Sequence, residues 1–197
     1  MTGTQGYGEN AQALAQQYES VSFAAVHRDV LHLYPAPPAR VVDIGAGSGR
    51  DAAALAASGH KVVAVEPTEA LRPEGMRIHA GKPIVWLDDQ LPALARLHSL
   101  GESFDLILLT AVWMHLDLEE RYSAMKSLAG LVLKGGRISM SLRHGPVPLG
   151  RKMFDVSATE TVELASSVGL NVIHAVERED MLGRPEVHWS FLVLEKR

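Results

Sequence analysis

Regular patterning begins near Asn10. Asn10 to Glu19 reads as a short helix, with Leu14, Tyr18 and, just beyond it, Val21 at i, i+4 and i+7, the spacing of one helical face. Ser22 is placed to cap a second helix with the apolar face Phe23, Val26, Val30, Leu33 and Tyr34, stopped by Pro35 and by Pro37–Pro38. The first nine residues, rich in Gly and Thr, predict a frayed terminus. From Arg40 the texture changes to short apolar runs alternating with helical segments. Val41–Ile44 reads as a strand, followed by a glycine-rich turn and the Ala-rich helix Arg50–Ser58, with Gly59 at its C-cap. Lys61–Val65 is a second strand, ending in Glu66–Pro67, and a short helix follows from Thr68. Ile84–Leu87 and Phe104–Thr110 are the third and fourth strands, the latter apolar enough to be buried on both faces.

Asp117-x-x-Glu120 forms a capping box that opens a helix to about Leu131. Gly135–Gly136 then turns the chain into a fifth strand, Arg137–Leu142. A second capping box, Ser157-x-x-Glu160, opens a helix ending near Gly169, and Asn171–Val176 and His188–Leu194 close the chain as strands. The connection between these last two holds Gly183 and Pro185 but no helix, which predicts an antiparallel hairpin. The expected fold is α/β: a doubly wound, mostly parallel seven-stranded sheet with a C-terminal antiparallel hairpin and helices on both faces. Residues 1–197 read as one domain, with 1–39 a helical cap and 40–197 the core.

Composition narrows the chemistry. The 197 residues include 47% apolar and 21% charged positions, with 19 Lys plus Arg against 23 Asp plus Glu for a net charge of −4. A mildly acidic chain without a basic run argues against nucleic acid as a partner. No apolar run is long enough to span a membrane and the N-terminus does not read as a secretory signal, so the expectation is cytoplasmic. There is no Cys, which removes disulfides, thiolate metal sites and Cys nucleophiles. The histidines, His27 and His32 among them, do not fall at metal-ligand spacing, and no metal is expected.

The chemistry-bearing segment is Val41-Val42-Asp43-Ile44-Gly45-Ala46-Gly47-Ser48-Gly49-Arg50. A strand running into Gly-x-Gly-x-Gly and then a helix lets backbone approach a ligand closely. A dinucleotide fingerprint needs its third Gly at position 50, where Arg50 stands. This Asp-x-Gly-x-Gly-x-Gly resembles motif I of the class I, Rossmann-like S-adenosylmethionine-dependent methyltransferases. The resemblance extends over roughly residues 40 to 195, through FDLILLTAVWMHL and LVLKGGRISMSL. It implies S-adenosylmethionine as cofactor, with Asp43, Gly45, Ala46, Gly47 and Gly49 at the turn and Glu66, beside Pro67, on the ribose. Asp88, or Asp89 if the alignment slips by one, would meet the adenine. Tyr18, Phe23, His27 and Arg28 of the N-terminal helices are candidates to close over the cofactor, and Thr110 lies at the fourth-strand exit.

Methyl transfer requires an acceptor held in line with an already electrophilic carbon, and a base only where a proton must leave. His115 is the first candidate base and His144 the second. Trp113 could stack on the substrate, and Arg143 would favour an anionic one. The segment from His144 to Ser157, with Arg151, Lys152 and Phe154, is long enough for a lid. Cytosine-C5 methylation is excluded by the missing Cys. TAVWMH replaces the Asn/Asp-Pro-Pro-aromatic segment of exocyclic-amine methylases, and Arg143-His144 stand where metal-dependent catechol-type enzymes carry Asp and Asn. A small-molecule, metal-independent methyltransferase is therefore the expectation. The competing readings are a non-catalytic cofactor-binding regulator or assembly partner, and a nicotinamide-dependent oxidoreductase.

Overall fold

The computed structural model describes residues 11–197, so the expectations for the first nine residues and for Asn10 lie outside it. The sheet is built from β1 (Arg40–Ile44), β2 (Lys61–Val65), β3 (Ile84–Leu87), β4 (Phe104–Thr110), β5 (Val132–His144), β6 (Leu170–Glu179) and β7 (His188–Lys196). The strands lie in the order β3-β2-β1-β4-β5-β7-β6. The first five run parallel, and β7 pairs antiparallel with both β5 and β6. The helices are α1 (Ala11–Glu19), α2 (Phe23–His27), α3 (Arg50–Ala57), α4 (Leu71–Ile78), α5 (Ala95–Ser99), α6 (Leu118–Leu131) and α7 (Ala158–Ser167).

Period-2 alternation in the central strands feeds two separate cores. Val42, Ile44, Ile107 and Leu109 pack with Leu97 of α5 and with Ala124 and Leu128 of α6. Their neighbours Val41, Leu106 and Leu108 face the other way, onto Ala52, Leu55 and Ala56 of α3. Asp43 shares the parity of Val41, which turns its carboxyl toward α3 and the Asp51 carboxylate there. A third cluster seats Val30 on Phe191 and Val193 of β7.

The structure departs from the sequence pattern in three places. The helix expected from Phe23 to Tyr34 stops at His27 and resumes as a 3-10 turn, Leu31–Leu33. Arg178 of β6 is the reason: its guanidinium donates to the carbonyls of Ala25 (3.3 Å) and Val26 (2.6 Å) and to Asp29 (3.1 Å). Those carbonyls would otherwise accept the next helical N–H groups. The pair Gly135–Gly136 does not precede the fifth strand but lies within it. β5 already pairs Val132 with Phe104 and then shifts register. At Gly136 a Cβ would lie 2.9 Å from the Leu133 carbonyl oxygen, so the irregularity needs a residue without one. Finally, α5 has no apolar period to announce it; Asp89 holds it by accepting from the backbone N–H of Leu97 (2.8 Å).

Candidate active site

The glycine-rich turn joins the C-terminal end of β1 to α3. The N–H groups of Gly45 and Ala46 donate to the Val65 carbonyl, at 2.8 and 3.0 Å, so the turn is stitched to the end of β2. Gly45 has φ +73°, and a Cβ there would lie 2.5 Å from Cγ2 of Val112. Gly47, at φ +57°, lies under the ring of Tyr18, which a Cβ would meet at 3.3 Å. Helix α1 crosses the turn at this point. Glu19 accepts from Ser48 Oγ (2.6 Å) and His79 Nε2 (3.1 Å), and Arg50 donates to the Tyr18 carbonyl (3.2 Å).

Glu66, buried at the end of β2, accepts the Gly47 N–H on one oxygen (2.8 Å) and the Thr68 N–H on the other (2.7 Å). Each oxygen keeps a lone pair for a further donor. A cavity of about 120 Å³ lies against the turn, lined by Asp43, Ala46, Gly47, Asp51 and neighbours. Asp43 is 2% exposed, and its Oδ2 has no hydrogen-bond partner among the described residues. Burial, and then the neighbouring Asp51 carboxylate, push its pKa well above the ordinary carboxylate range. Asp51 goes the other way. Burial alone would raise it, but His27 and Arg50 outweigh that and hold it below the usual range.

A second cavity, of about 330 Å³, opens beside the first between α1, the exit of β5 and the β6–β7 hairpin. Tyr18, Arg50, Thr110 and Ala111 line both cavities and form the aperture between them. The wall of the larger cavity is apolar, with Met153, Leu182, Trp189 and Phe191, and carries five arginines (50, 143, 151, 178 and 184) against one carboxylate, Asp180. Asp180 organises the hairpin loop, accepting from Arg184 Nε (2.9 Å) and Nη2 (2.7 Å), Trp189 Nε1 (2.9 Å) and the Leu182 N–H (3.0 Å). Those donors, Arg184 first, hold its pKa well below the ordinary range.

Asp43, Gly45, Ala46, Gly47 and Thr110 thus meet around the small cavity, with Tyr18 over them. Gly49, Glu66, Pro67, Asp88 and Asp89 line neither cavity; Gly49 starts α3 at φ +84°, and Glu66 borders the small cavity only through its bond to the Gly47 N–H. Asp89 spends both oxygens on backbone N–H groups, those of Gln90 and Leu97, whereas Asp88 is 47% exposed and paired with Arg72 at 3.1 Å. Arg143 lines the larger cavity.

The expectation for Trp113 needs correction: it is fully buried in the core under α6 and lines neither cavity. Neither histidine singled out as a base lines either of these two cavities. His115 is 7% exposed, and its Nδ1–H donates to the Lys152 carbonyl (2.9 Å), tying the loop after β5 to the 3-10 turn Trp113–His115. His144 bonds Ser190 (2.8 Å) and stacks on His188. Burial lowers both pKa values. Phe23 and His27 pack away from the cavities, and Arg28 is exposed beside Asp29.

Sequence reasoning passed over Arg50, Asp51, Ala111 and Ser141 as site residues. The signal for the first two was an adjacent pair of opposite charges opening an otherwise Ala-rich helix, Arg-Asp-Ala-Ala-Ala-Leu-Ala-Ala. Among the described residues, no three His, Asp or Glu side chains are grouped as metal ligands would be, and no helix is long and apolar enough to cross a membrane.

Residues 42–140, just over half of the chain, match the family described as a methyltransferase domain. The chain belongs to the methyltransferase-domain family. A curated relative, the demethylmenaquinone methyltransferase of Clavibacter sepedonicus, is 35% identical over 141 residues. That alignment covers 68% of this chain but only 55% of the relative, so the chain spans about half the length of the curated protein it matches. Among solved structures, a TehB-like S-adenosylmethionine-dependent methyltransferase from Corynebacterium glutamicum superposes with TM-score 0.70 at 20% identity, covering 96% of this chain and 99% of the other. The Burkholderia thailandensis 1,6-didemethyltoxoflavin-N1-methyltransferase, solved with bound 1,6-didemethyltoxoflavin and S-adenosylhomocysteine, gives TM-score 0.68 at 21% identity, covering 95% of this chain and 89% of the other. These likenesses establish the fold.

The methyl donor of this family is S-adenosylmethionine, and this methyltransferase domain has groups that fit it. The orphaned Oδ2 of Asp43 suits the donor's ammonium group, and the paired lone pairs of Glu66 suit the vicinal ribose hydroxyls. Asp88, an exposed carboxylate after β3 paired with Arg72, would be the group to meet the adenine amino group.

Proposed function

We propose that this protein transfers the methyl group of S-adenosylmethionine to a small, largely apolar acceptor that carries an anionic group. The observation that carries the reading is the aperture at Thr110 and Ala111. There a small cavity containing an unpartnered buried carboxylate opens onto a larger, apolar, arginine-rich one. The sulfonium supplies an electrophilic methyl carbon. What remains for the protein is to hold the acceptor's nucleophile in line with it and to keep water out, which an apolar pocket does. Arg143 and Arg151 on the cavity wall would bind a carboxylate, phenolate or phosphate of the acceptor, and the 330 Å³ volume suits a molecule of one or two rings. We assign no proton-transfer step to His115 or His144, because each makes a bond within the scaffold, to the Lys152 carbonyl and to Ser190, and neither lines the cavities. The relative's name, demethylmenaquinone methyltransferase, supports a ring acceptor.

The test is transfer of labelled methyl from S-adenosylmethionine to a panel of one- and two-ring hydroxy- and amino-arene carboxylates, each paired with its neutral carboxamide. The expected result is labelled product from members of the acid series, with higher kcat/KM than the amides. Binding of the donor with no transfer to any member would favour a non-catalytic cofactor-binding protein instead.

A further inference from the structure

Thr110 and Ala111 form the aperture between the two cavities, and neither is held there by local sequence preference. Ala111 has φ +59°, the left-handed region that glycine adopts freely and alanine does not. Its N–H donates to Oγ of Ser141 (2.9 Å), a 2%-exposed residue on β5 directly opposite Thr110 in the strand register. The Thr110 hydroxyl donates to Oδ2 of Asp51 (2.8 Å) on α3. That same carboxylate accepts from His27 Nε2 (2.8 Å) and Arg50 Nε (2.6 Å). Behind His27, Nδ1 is bonded to the Tyr34 hydroxyl (2.9 Å), which is bonded to the Ser139 hydroxyl (2.9 Å). His27, Tyr34 and Ser139 line neither cavity, so this part of the network backs the aperture rather than contacting a ligand.

Fold stability alone accounts poorly for this arrangement. Buried ionic networks are commonly replaced by apolar packing without loss of stability, and a glycine at 111 would remove the backbone strain outright. What the network does provide is a β4 exit fixed from two sides, by Asp51 through the Thr110 side chain and by Ser141 through the Ala111 backbone.

We propose that Asp51 and Ser141 are positioning residues. They hold Thr110 and the left-handed Ala111 at the aperture and thereby set the line along which the donor's methyl group meets the acceptor. The proposal rests on the methyl-transfer reading above. Displacement of reacting groups by about 1 Å costs on the order of 100-fold in rate, so a loosened aperture is costly even where both ligands still bind.

The test uses the 197-residue chain with [methyl-13C]S-adenosylmethionine as probe, comparing wild type with Ala111→Gly, Ser141→Ala, Ser141→Thr and Asp51→Asn. Three readouts are taken: melting temperature without ligand, donor affinity by calorimetry, and the 13C resonance of the bound methyl. Ala111→Gly should melt no lower than wild type and bind the donor with similar affinity, yet its methyl resonance should broaden or move toward the free position. Ser141→Ala should show the same spectral change, and Ser141→Thr, which keeps the hydroxyl, should restore the wild-type resonance. With an acceptor in hand, kcat should fall on the order of 10- to 100-fold in Ala111→Gly with little change in KM. A purely structural role for Ala111 would make glycine neutral or better in every readout. Superimposable methyl resonances in wild type, Ala111→Gly and Ser141→Ala, with the donor bound, would overturn the proposal. Failure of the wild type to bind the donor would overturn the methyl-transfer reading itself. Should Asp51→Asn fail to fold, the Ala111 and Ser141 variants decide the matter.

Discussion

Glu66→Gln separates two roles that one carboxylate combines. In the folded chain Glu66 accepts the N–H of Gly47 at 2.8 Å and that of Thr68 at 2.7 Å, one on each oxygen, at a site 4% exposed. The amide has one carbonyl oxygen, so it can serve one of these donors and must turn its NH2 toward the other. The loss is one charge-assisted hydrogen bond plus a buried N–H left without an acceptor, together about 3 kcal/mol. For a chain of this length that corresponds to a fall in melting temperature of roughly 6–12 °C without ligand. The ribose hydroxyls also lose an ionised acceptor, which should weaken S-adenosylmethionine binding by about 1–3 kcal/mol, or roughly 5- to 150-fold in Kd. Scanning calorimetry of the free protein measures the first effect. Titration calorimetry at a temperature where the variant is fully folded measures the second. A melting temperature within a degree of wild type would refute the part Glu66 plays in bracing the turn. A lowered melting temperature with unchanged donor affinity would leave Glu66 as a loop brace and remove it from the ribose.

Gly45→Ala should destabilise the chain by about 2–4 kcal/mol, because its Cβ would lie 2.5 Å from Val112 in a backbone at φ +73°. Adding Val112→Ala should recover the clash but not the strain, and full recovery in chemical denaturation would contradict that division. Asp43→Asn should raise the melting temperature of the free protein at neutral pH while weakening donor binding. The folded pKa of Asp43 lies above the unfolded one, so at pH values between the two the native state binds a proton that the unfolded chain has released. Wild-type stability should therefore decline as pH rises from about 4 toward the folded pKa, and the variant should lack that decline. Asp180→Asn should have the opposite pH signature. Its folded pKa is depressed, so the stabilisation is complete above about pH 5 and disappears as pH falls through the folded value. Loss of its bonds to Arg184 and Trp189 should cost about 2–3 kcal/mol at neutral pH, measured by denaturant titration, and a constant difference down to acidic pH would contradict the assignment.

β1, β2 and β4 were legible because buried parallel strands are nearly continuous apolar runs, and both capping boxes marked true helix starts, at Asp117 and Ser157. What the pattern concealed was set by contacts distant in sequence. The helix after Ser22 ends early because Arg178, some 150 residues on, takes the carbonyls of Ala25 and Val26. The turn at Gly45–Gly49 could be read from spacing, because ligand approach demands missing side chains, whereas Glu66 stood out only through the resemblance to the methyltransferase family. Trp113 and His115 suggested chemistry by residue type alone, and only packing places the first in the core and the second in a loop brace. Ala111 gave no signal at all: an alanine looks inert until its left-handed backbone and the Ser141 hydroxyl beneath it are seen together.

The central claim is the division of labour between the two cavities, and a crystal structure with S-adenosylhomocysteine tests it most directly. The account predicts ribose hydroxyls on Glu66, the amino group on Asp43, and the sulfur at the Thr110–Ala111 aperture facing the arginine-lined cavity. A sulfur turned away from that cavity, or a nucleoside bound elsewhere with Asp43 Oδ2 still unpartnered, would contradict it.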